Sequence, residues 1–373
     1  MATRLISRRI SRIPTTFVWR TLLFGSLSFV YFYCMTIWNK LIFEEYRAST
    51  IHQIIRKSPE VNSLRKNEKV GIFNESLKSI THYSPINSDN SSKELCPLWS
   101  PLLVGWVNIS FVASRAWKEK EDNLNSKMRS TGLDVGGKYK PRDCQSRNKV
   151  AIIVPYRNRK NHLKIFLRYM HPFLQRQQLE YVVVVVEQSE GLPFNRGMLM
   201  NIGFKETQLN HNYKCFIFHD VDLLPENDGY LYSCPEEGRP RQMAFSMDIY
   251  EYTPTPLAYF GGVSAFSAKD FQKVNGFSNV FWGWGNEDDD LYRRILHKNL
   301  TVTRMFDGEQ SFADVTRYTM LNHRIGVPNP DRIGLLLDGI SRIESDGLGN
   351  LYYKKMFLKF KPLYTHILVE IEK

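Results

Sequence analysis

KVAIIVP at residues 149–155 and YVVVVV at residues 181–186 are the two stretches that decide the fold. Neither alternates apolar with polar residues, so each strand must be covered on both faces, as in the parallel sheet of an α/β protein. Between them, residues 161–175 carry Leu163, Phe166, Leu167 and Met170 at helical spacing, which completes a strand–helix–strand unit. A further helix is predicted from about Arg196 to Leu209, followed by the apolar strand CFIFH at 215–219. This alternation predicts an α/β sandwich in which a mostly parallel central sheet is flanked by helices. Its site is expected at the C-terminal ends of the strands. No G-x-G-x-x-G follows the first strand, which argues against a dehydrogenase-type dinucleotide fold.

Working outward, the apolar fraction of 43% across 373 residues is enough for a sizeable core and excludes wholesale disorder. The net charge of +12 raises the question of nucleic acid. Its basic residues gather near the N-terminus and through the next hundred residues, not in one patch interleaved with aromatics, so no nucleic-acid partner is expected. Arg4, Arg8, Arg9, Arg12 and Arg20 precede an 18-residue run without a charge, residues 21–38. At ~1.5 Å per residue that run reaches about 27 Å, enough for a thin bilayer. No small-x-small cleavage site follows it. The expectation is a cytoplasmic tail at 1–20, a single-pass type II signal anchor at 21–38, a lumenal stem rich in Lys, Ser, Asn and Glu at 39–95, and a compact domain at 96–373.

Two features agree with a lumenal domain. N-x-Ser/Thr sequons lie at Asn74, Asn90, Asn108 and Asn299, all beyond the anchor. Cys34 falls in the anchor, leaving the even set Cys96, Cys144, Cys215 and Cys234, whose spacings match no zinc pattern. Two disulfides are expected, with their pairing open at this level.

The chemistry-bearing motifs follow the strands. Asp220-Val221-Asp222 ends the strand at 215–219, where hard oxygens can hold Mg²⁺ or Mn²⁺ against a diphosphate. Taken alone, two aspartates near a turn are common. Residues 281–290 read FWGWGNEDDD, where tryptophan faces suit sugar rings, glycines permit a tight loop, and adjacent acids repel one another toward a usable base. Pro155-Tyr156-Arg157-Asn158-Arg159 closes the first strand with two guanidiniums that can fork onto phosphate. Phe194-Asn195-Arg196 invites the same reading. Met320 and His323, three apart, can face one metal, though such a pair more often marks ordinary packing.

In this order, the runs VAIIVPYRNR, FNRG-L-N-GF, CFIFHDVDLLP, YFGGVSA, FWGW-G-EDDD and PLYT resemble the animal beta-1,4-galactosyltransferase family over roughly residues 96–371. The resemblance implies a GT-A-type nucleotide-sugar transferase fold, an inverting mechanism and a Golgi membrane location. It implies that Pro155, Tyr156, Arg157, Asn158, Arg159, Phe194, Asn195, Arg196, Val221, Asp222, Tyr259, Trp284 and His323 serve the donor. It further implies that Asp222, Met320 and His323 hold Mn²⁺, that Asn286, Glu287, Asp288, Asp289 and Arg332 line the acceptor, and that Asp288 is the catalytic base. The implied disulfides are Cys96–Cys144 and Cys215–Cys234. Tyr259 occupies the position at which galactose-specific members carry tyrosine and users of N-acetylgalactosamine carry a smaller aliphatic residue. The expected reaction is therefore transfer of galactose from UDP-galactose to a terminal N-acetylglucosamine, or a related sugar, of glycoprotein or glycolipid glycans. The alternatives are an N-acetylgalactosamine transferase and an inactive glycan-binding homologue. Departures from the family pattern fall on the acceptor side, at Ile249, Pro256, Asn286 and Ile333.

Overall fold

The computed structural model describes residues 93–373, apart from 211–212, 257, 305–314 and 325. The expected anchor, most of the stem, and the sequons at Asn74 and Asn90 lie outside the described residues. No helix among the described residues is long and apolar enough to cross a membrane.

Eleven strands and seven α-helices make up the described domain. Helices α1 (Ile109–Lys118) and α2 (Glu121–Ser130) lead to β1 (Lys138–Tyr139), β2 (Lys149–Tyr156), α3 (Lys160–Arg176) and β3 (Glu180–Gln188). Helix α4 (Arg196–Asn210) and β4 (Cys215–His219) complete the predicted units. Short strands follow: β5 (Leu223–Pro225), β6 (Arg241–Gln242), β7 (Ser246–Met247) and β8 (Val263–Ser267). The chain ends with α5 (Ala268–Lys273), α6 (Glu287–His297), β9 (Arg317–Met320), α7 (Arg332–Leu337) and the hairpin β10 (Lys354–Phe360) and β11 (Thr365–Glu370).

The central sheet runs β10-β11-β3-β2-β4-β8-β6, with β1 also paired to β3. Strands β11, β3, β2 and β4 are mutually parallel, whereas β10, β1, β8 and β6 join antiparallel. The sheet is thus mixed, and the expectation of a mostly parallel one is corrected. The apolar runs reveal only the doubly covered centre. The flanking strands are short, or alternate in burial as β11 does, and so carried no such signal.

Successive side chains of a strand point to opposite faces, and the core divides accordingly. Val150, Ile152 and Val154 pack with Phe166, Met170 and Phe173 of α3 on one face. Ala151 and Ile153 pack with Leu199 and Ile202 of α4 on the other. Each fully buried side chain of this size contributes roughly 1.5–3 kcal/mol, so helices on both faces are what the two apolar runs demand. The disulfides are Cys96–Cys144 and Cys215–Cys234, the pairing that the resemblance implied. Each contributes about 3–4 kcal/mol in the chain-entropy account.

Candidate active site

Because β2, β3 and β4 are parallel, their C-terminal ends open on one edge, and the segments 155–159, 189–196 and 219–222 gather there. A second sheet, β5-β9-β7, stands beside that edge. Its ladder sets Leu223 opposite Met320, and Leu321 N–H donates to the Asp222 carbonyl at 2.7 Å. That pairing delivers the segment 320–323 to the end of β4.

Asp222 Oδ2 and His323 Nε2 lie 2.9 Å apart, both partly buried. The other ring nitrogen of His323, Nδ1, is 2.8 Å from the Arg324 carbonyl, a contact that holds the ring with Nε2 facing Asp222. The Asp222 hydrogen bond raises the His323 pKa above its ordinary value, outweighing burial. Burial pushes the Asp222 carboxyl upward, but the His323 hydrogen bond and the charges of His323 and Arg159 leave it below the usual range. Carboxylate oxygen and imidazole nitrogen meet here, and with the Met320 thioether that the family resemblance implies they would make a mixed donor set suited to Mn²⁺ more than to Mg²⁺ or Ca²⁺. Among the described residues no three His, Cys, Asp or Glu side chains are placed to hold one metal ion, so an ion here would complete its shell with ligand oxygens.

Arg159 Nη2 approaches His323 Nδ1 at 3.3 Å, which ties the end of β2 to this pair. Arg157 lies over the Phe194 ring at 5.3 Å and donates to the Leu192 carbonyl at 2.7 Å. Asn158 has a left-handed backbone, φ 54°, which turns the chain between the two arginines. Asn195 is wholly buried, and its side chain donates to Asn279 and caps α4 through Met198 N–H. These bonds hold the segment that carries Phe194 and Arg196. Val221 is likewise buried.

The acid run is not the tight loop read from its glycines. Residues 287–290 form the first turn of α6, where the helix dipole favours carboxylates. Arg196 joins this turn to β4: its Nε donates to Asp220 Oδ1 at 2.6 Å, and Nη1 lies 3.5 Å from Glu287 Oε1. Burial, then the charge of Asp288, pushes Glu287 up to about 7 and Asp289 up to about 6. Burial and the Asp288 and Asp220 carboxylates keep the Tyr259 phenol protonated. Behind the turn, buried Arg294 bonds Asp290 Oδ2 at 2.6 Å and the Asp346 carbonyl at 2.6 Å.

Before α6, Trp284 pairs by backbone with the segment around Pro328: its N–H donates to Val327, and Asn329 N–H donates back to Trp284, both at 3.0 Å. Gly283 N–H donates to the Phe194 carbonyl at 2.8 Å, fastening this loop to the arginine edge. Trp284 itself is half exposed. Arg332 opens α7 and returns Nη1 to the Asn329 carbonyl. Asn286, with φ 70°, is the residue on which the chain turns into α6. Sequence reasoning overlooked Asp220 and Arg196 as a linked pair. It also missed Asp248, whose Oδ1 accepts from Met320 N–H at 2.8 Å, and His162, whose ring meets the Asn322 carbonyl. Only the position of Asp220, two before Asp222, was a signal.

Two family profiles match the chain. One, the N-terminal region of glycosyl transferase group 7, matches residues 96–235; the other, the N-terminal domain of galactosyltransferase, matches residues 241–324. The chain is 41% identical over 290 residues to beta-1,4-galactosyltransferase 1 of Mus musculus, covering 77% of this chain and 69% of that protein. It is 38% identical over 328 residues to beta-1,4-galactosyltransferase 5 of Danio rerio, covering 87% and 83%. Among solved structures, a mutant Drosophila beta-1,4-galactosyltransferase 7 in complex with manganese, UDP-Gal and xylobiose aligns with a TM-score of 0.52 at 28% identity. That alignment covers 61% of this chain and 95% of that one.

Proposed function

The chain belongs to the beta-1,4-galactosyltransferase family, and from that premise we propose that it moves galactose from UDP-galactose onto a terminal N-acetylglucosamine of glycan chains, in a manganese-dependent reaction. The observation that carries the reading is the 2.9 Å approach of His323 to Asp222, which brings two motifs distant in the chain together at the end of β4.

Asp222, Met320 and His323 would hold the Mn²⁺, which when bound offsets the charge of the departing diphosphate. Arg157 and Arg159, at the end of β2, add positive charge on the same side. Asp288 stands beside Tyr259 and Gly261, with Trp284 a few residues before it on the chain. As base, it takes the proton of the acceptor hydroxyl while that oxygen bonds to the anomeric carbon and the bond to UDP breaks on the opposite face. A single base acting in one displacement inverts the configuration, as β-linkage from an α-linked donor requires. The Tyr259 ring crowds Gly261 and supports galactose over a donor bearing an N-acetyl group. Two disulfides and four sequons support a lumenal domain on a type II Golgi anchor.

The test is turnover of UDP-galactose with Mn²⁺ and an N-acetylglucosamine acceptor. Asp288→Asn should abolish transfer while UDP binding persists. Binding without turnover in the unaltered chain would leave the glycan-binding alternative.

A further inference from the structure

Residues 95–106, LCPLWSPLLVGW, form an apolar strap at the entrance to the domain. Leu95, Leu98, Trp99, Leu102, Val104 and Trp106 are each more than half exposed, with Leu98 at 69%. A soluble surface seldom carries so many large apolar side chains in one short segment without a partner.

The backbone of the strap is fixed, so these side chains are held out. Cys96 is bonded to Cys144, its N–H donates to the Gln145 carbonyl at 2.8 Å, and its own carbonyl accepts from Arg147 Nε at 2.6 Å. At the other end, Val104 and Gly105 N–H groups converge on the buried Asp228 carboxylate, the latter at 2.7 Å. Phe111 of α1, also half exposed, follows directly.

Phe111 in turn lines a cavity of about 170 Å³ where α1, α2 and α3 meet. Its charged lining consists of Arg115, Lys127 and Arg168. Glu119 pairs with Arg168, which leaves two cations in excess. Lys118 and Arg129 on these helices, and Lys120 in the link between them, are exposed, against the exposed acids Glu121 and Asp122. Tryptophan, leucine and an excess of cations are the composition of a surface that meets lipid headgroups. The strap begins two residues after the first described residue, where the chain from the expected anchor arrives.

We propose that the strap, with Phe111 and the cationic cavity, is a seat for a membrane surface bearing anionic phospholipids. The apolar side chains enter the headgroup boundary, and the excess guanidinium and ammonium groups meet phosphate. This rests on the reading of residues 21–38 as an anchor, since a tether raises the local concentration of surface enough for a weak seat to be occupied.

The test uses the full chain in phosphatidylcholine vesicles, with or without phosphatidylserine, that contain a photoreactive phosphatidylcholine. Peptide mapping after irradiation should find lipid adducts in residues 94–115 as well as 21–38, several-fold more at 94–115 when phosphatidylserine is present. Trp99→Ser with Leu102→Ser should lower the 94–115 adducts several-fold, leaving those at 21–38 and galactose transfer to a soluble acceptor unchanged. Adducts confined to 21–38 in active protein overturn the seat and leave the anchor standing. Absence of adducts at 21–38 overturns the anchor and the seat together. Protein–protein adducts at 94–115 overturn the lipid assignment in favour of a second copy.

Discussion

Gly261 stands so close to Asp288 that a β-carbon on it would collide with Oδ2 of that carboxylate. The same carbon would come within 2.9 Å of Cε2 and Cζ of the Tyr259 ring. Glycine is therefore what lets strand end, phenol and base share one space. Gly261→Ala should lower kcat for galactose transfer by roughly 100-fold, the scale of a misplaced reacting group. Its cost in stability should be only about 1–3 kcal/mol, as for modest overpacking. Steady-state kinetics beside thermal unfolding check both; wild-type turnover would refute the geometry.

If Asp222 and His323 hold the Mn²⁺ as proposed, the enzyme should depend on added metal. Chelation should abolish transfer, and Mn²⁺ should restore it. His323→Ala should raise the Mn²⁺ concentration for half-activity by at least ~10–100-fold, the range that even outer-shell partners reach. Activity titrated against Mn²⁺ measures this.

Glu287 supplies a pH dependence. Burial holds its folded-state pKa at about 7, above the ordinary carboxylate value, so the folded protein binds the proton more tightly than the unfolded chain. Stability from this group is full below the unfolded pKa and declines as pH rises through about 7. Glu287→Gln should flatten that decline. Thermal midpoints from pH 4.5 to 7.5 (~0.5-unit steps) decide it; parallel curves for both proteins would contradict the assignment.

The proposed role of Tyr259 in donor choice gives a further prediction. Tyr259→Leu removes the phenol and opens space for an N-acetyl group, so transfer from UDP-N-acetylgalactosamine should rise at least about tenfold relative to galactose, a ratio equivalent to ~1.4 kcal/mol. Comparing kcat/KM for the two donors measures the change.

How much of this was legible in the sequence depends on the element. The runs at 149–155, 181–186 and 215–219 fixed the parallel centre, because unbroken apolar strands admit few other environments. The hairpin of β10 and β11 was missed: KKMFLKF is largely exposed and mixes Lys with apolar residues, so no doubly covered strand announces itself. The helical start at Glu287 was hidden by two glycines before it, whose backbone freedom reads as loop. Asp222 and His323 were visible as motifs, whereas the contact between them depends on the β5–β9 ladder, which local pattern does not encode. Arg196 illustrates the same limit, since its bond to Glu287 is a tertiary fact.

The two supports of the acid turn have unequal firmness. Arg294 bolts the body of α6 to Asp346 from within the core, while Trp284 is joined to the 327–329 segment only by a pair of backbone bonds near the surface. On the proposed reading, the base and its neighbouring acids ride on the firmly held body of α6, while Trp284 and the segment leading to Arg332 sit on the lightly joined outer loop. Substitutions in that outer loop should therefore disturb ligand contacts at far smaller cost to the fold than substitutions at Arg294 or Asp346.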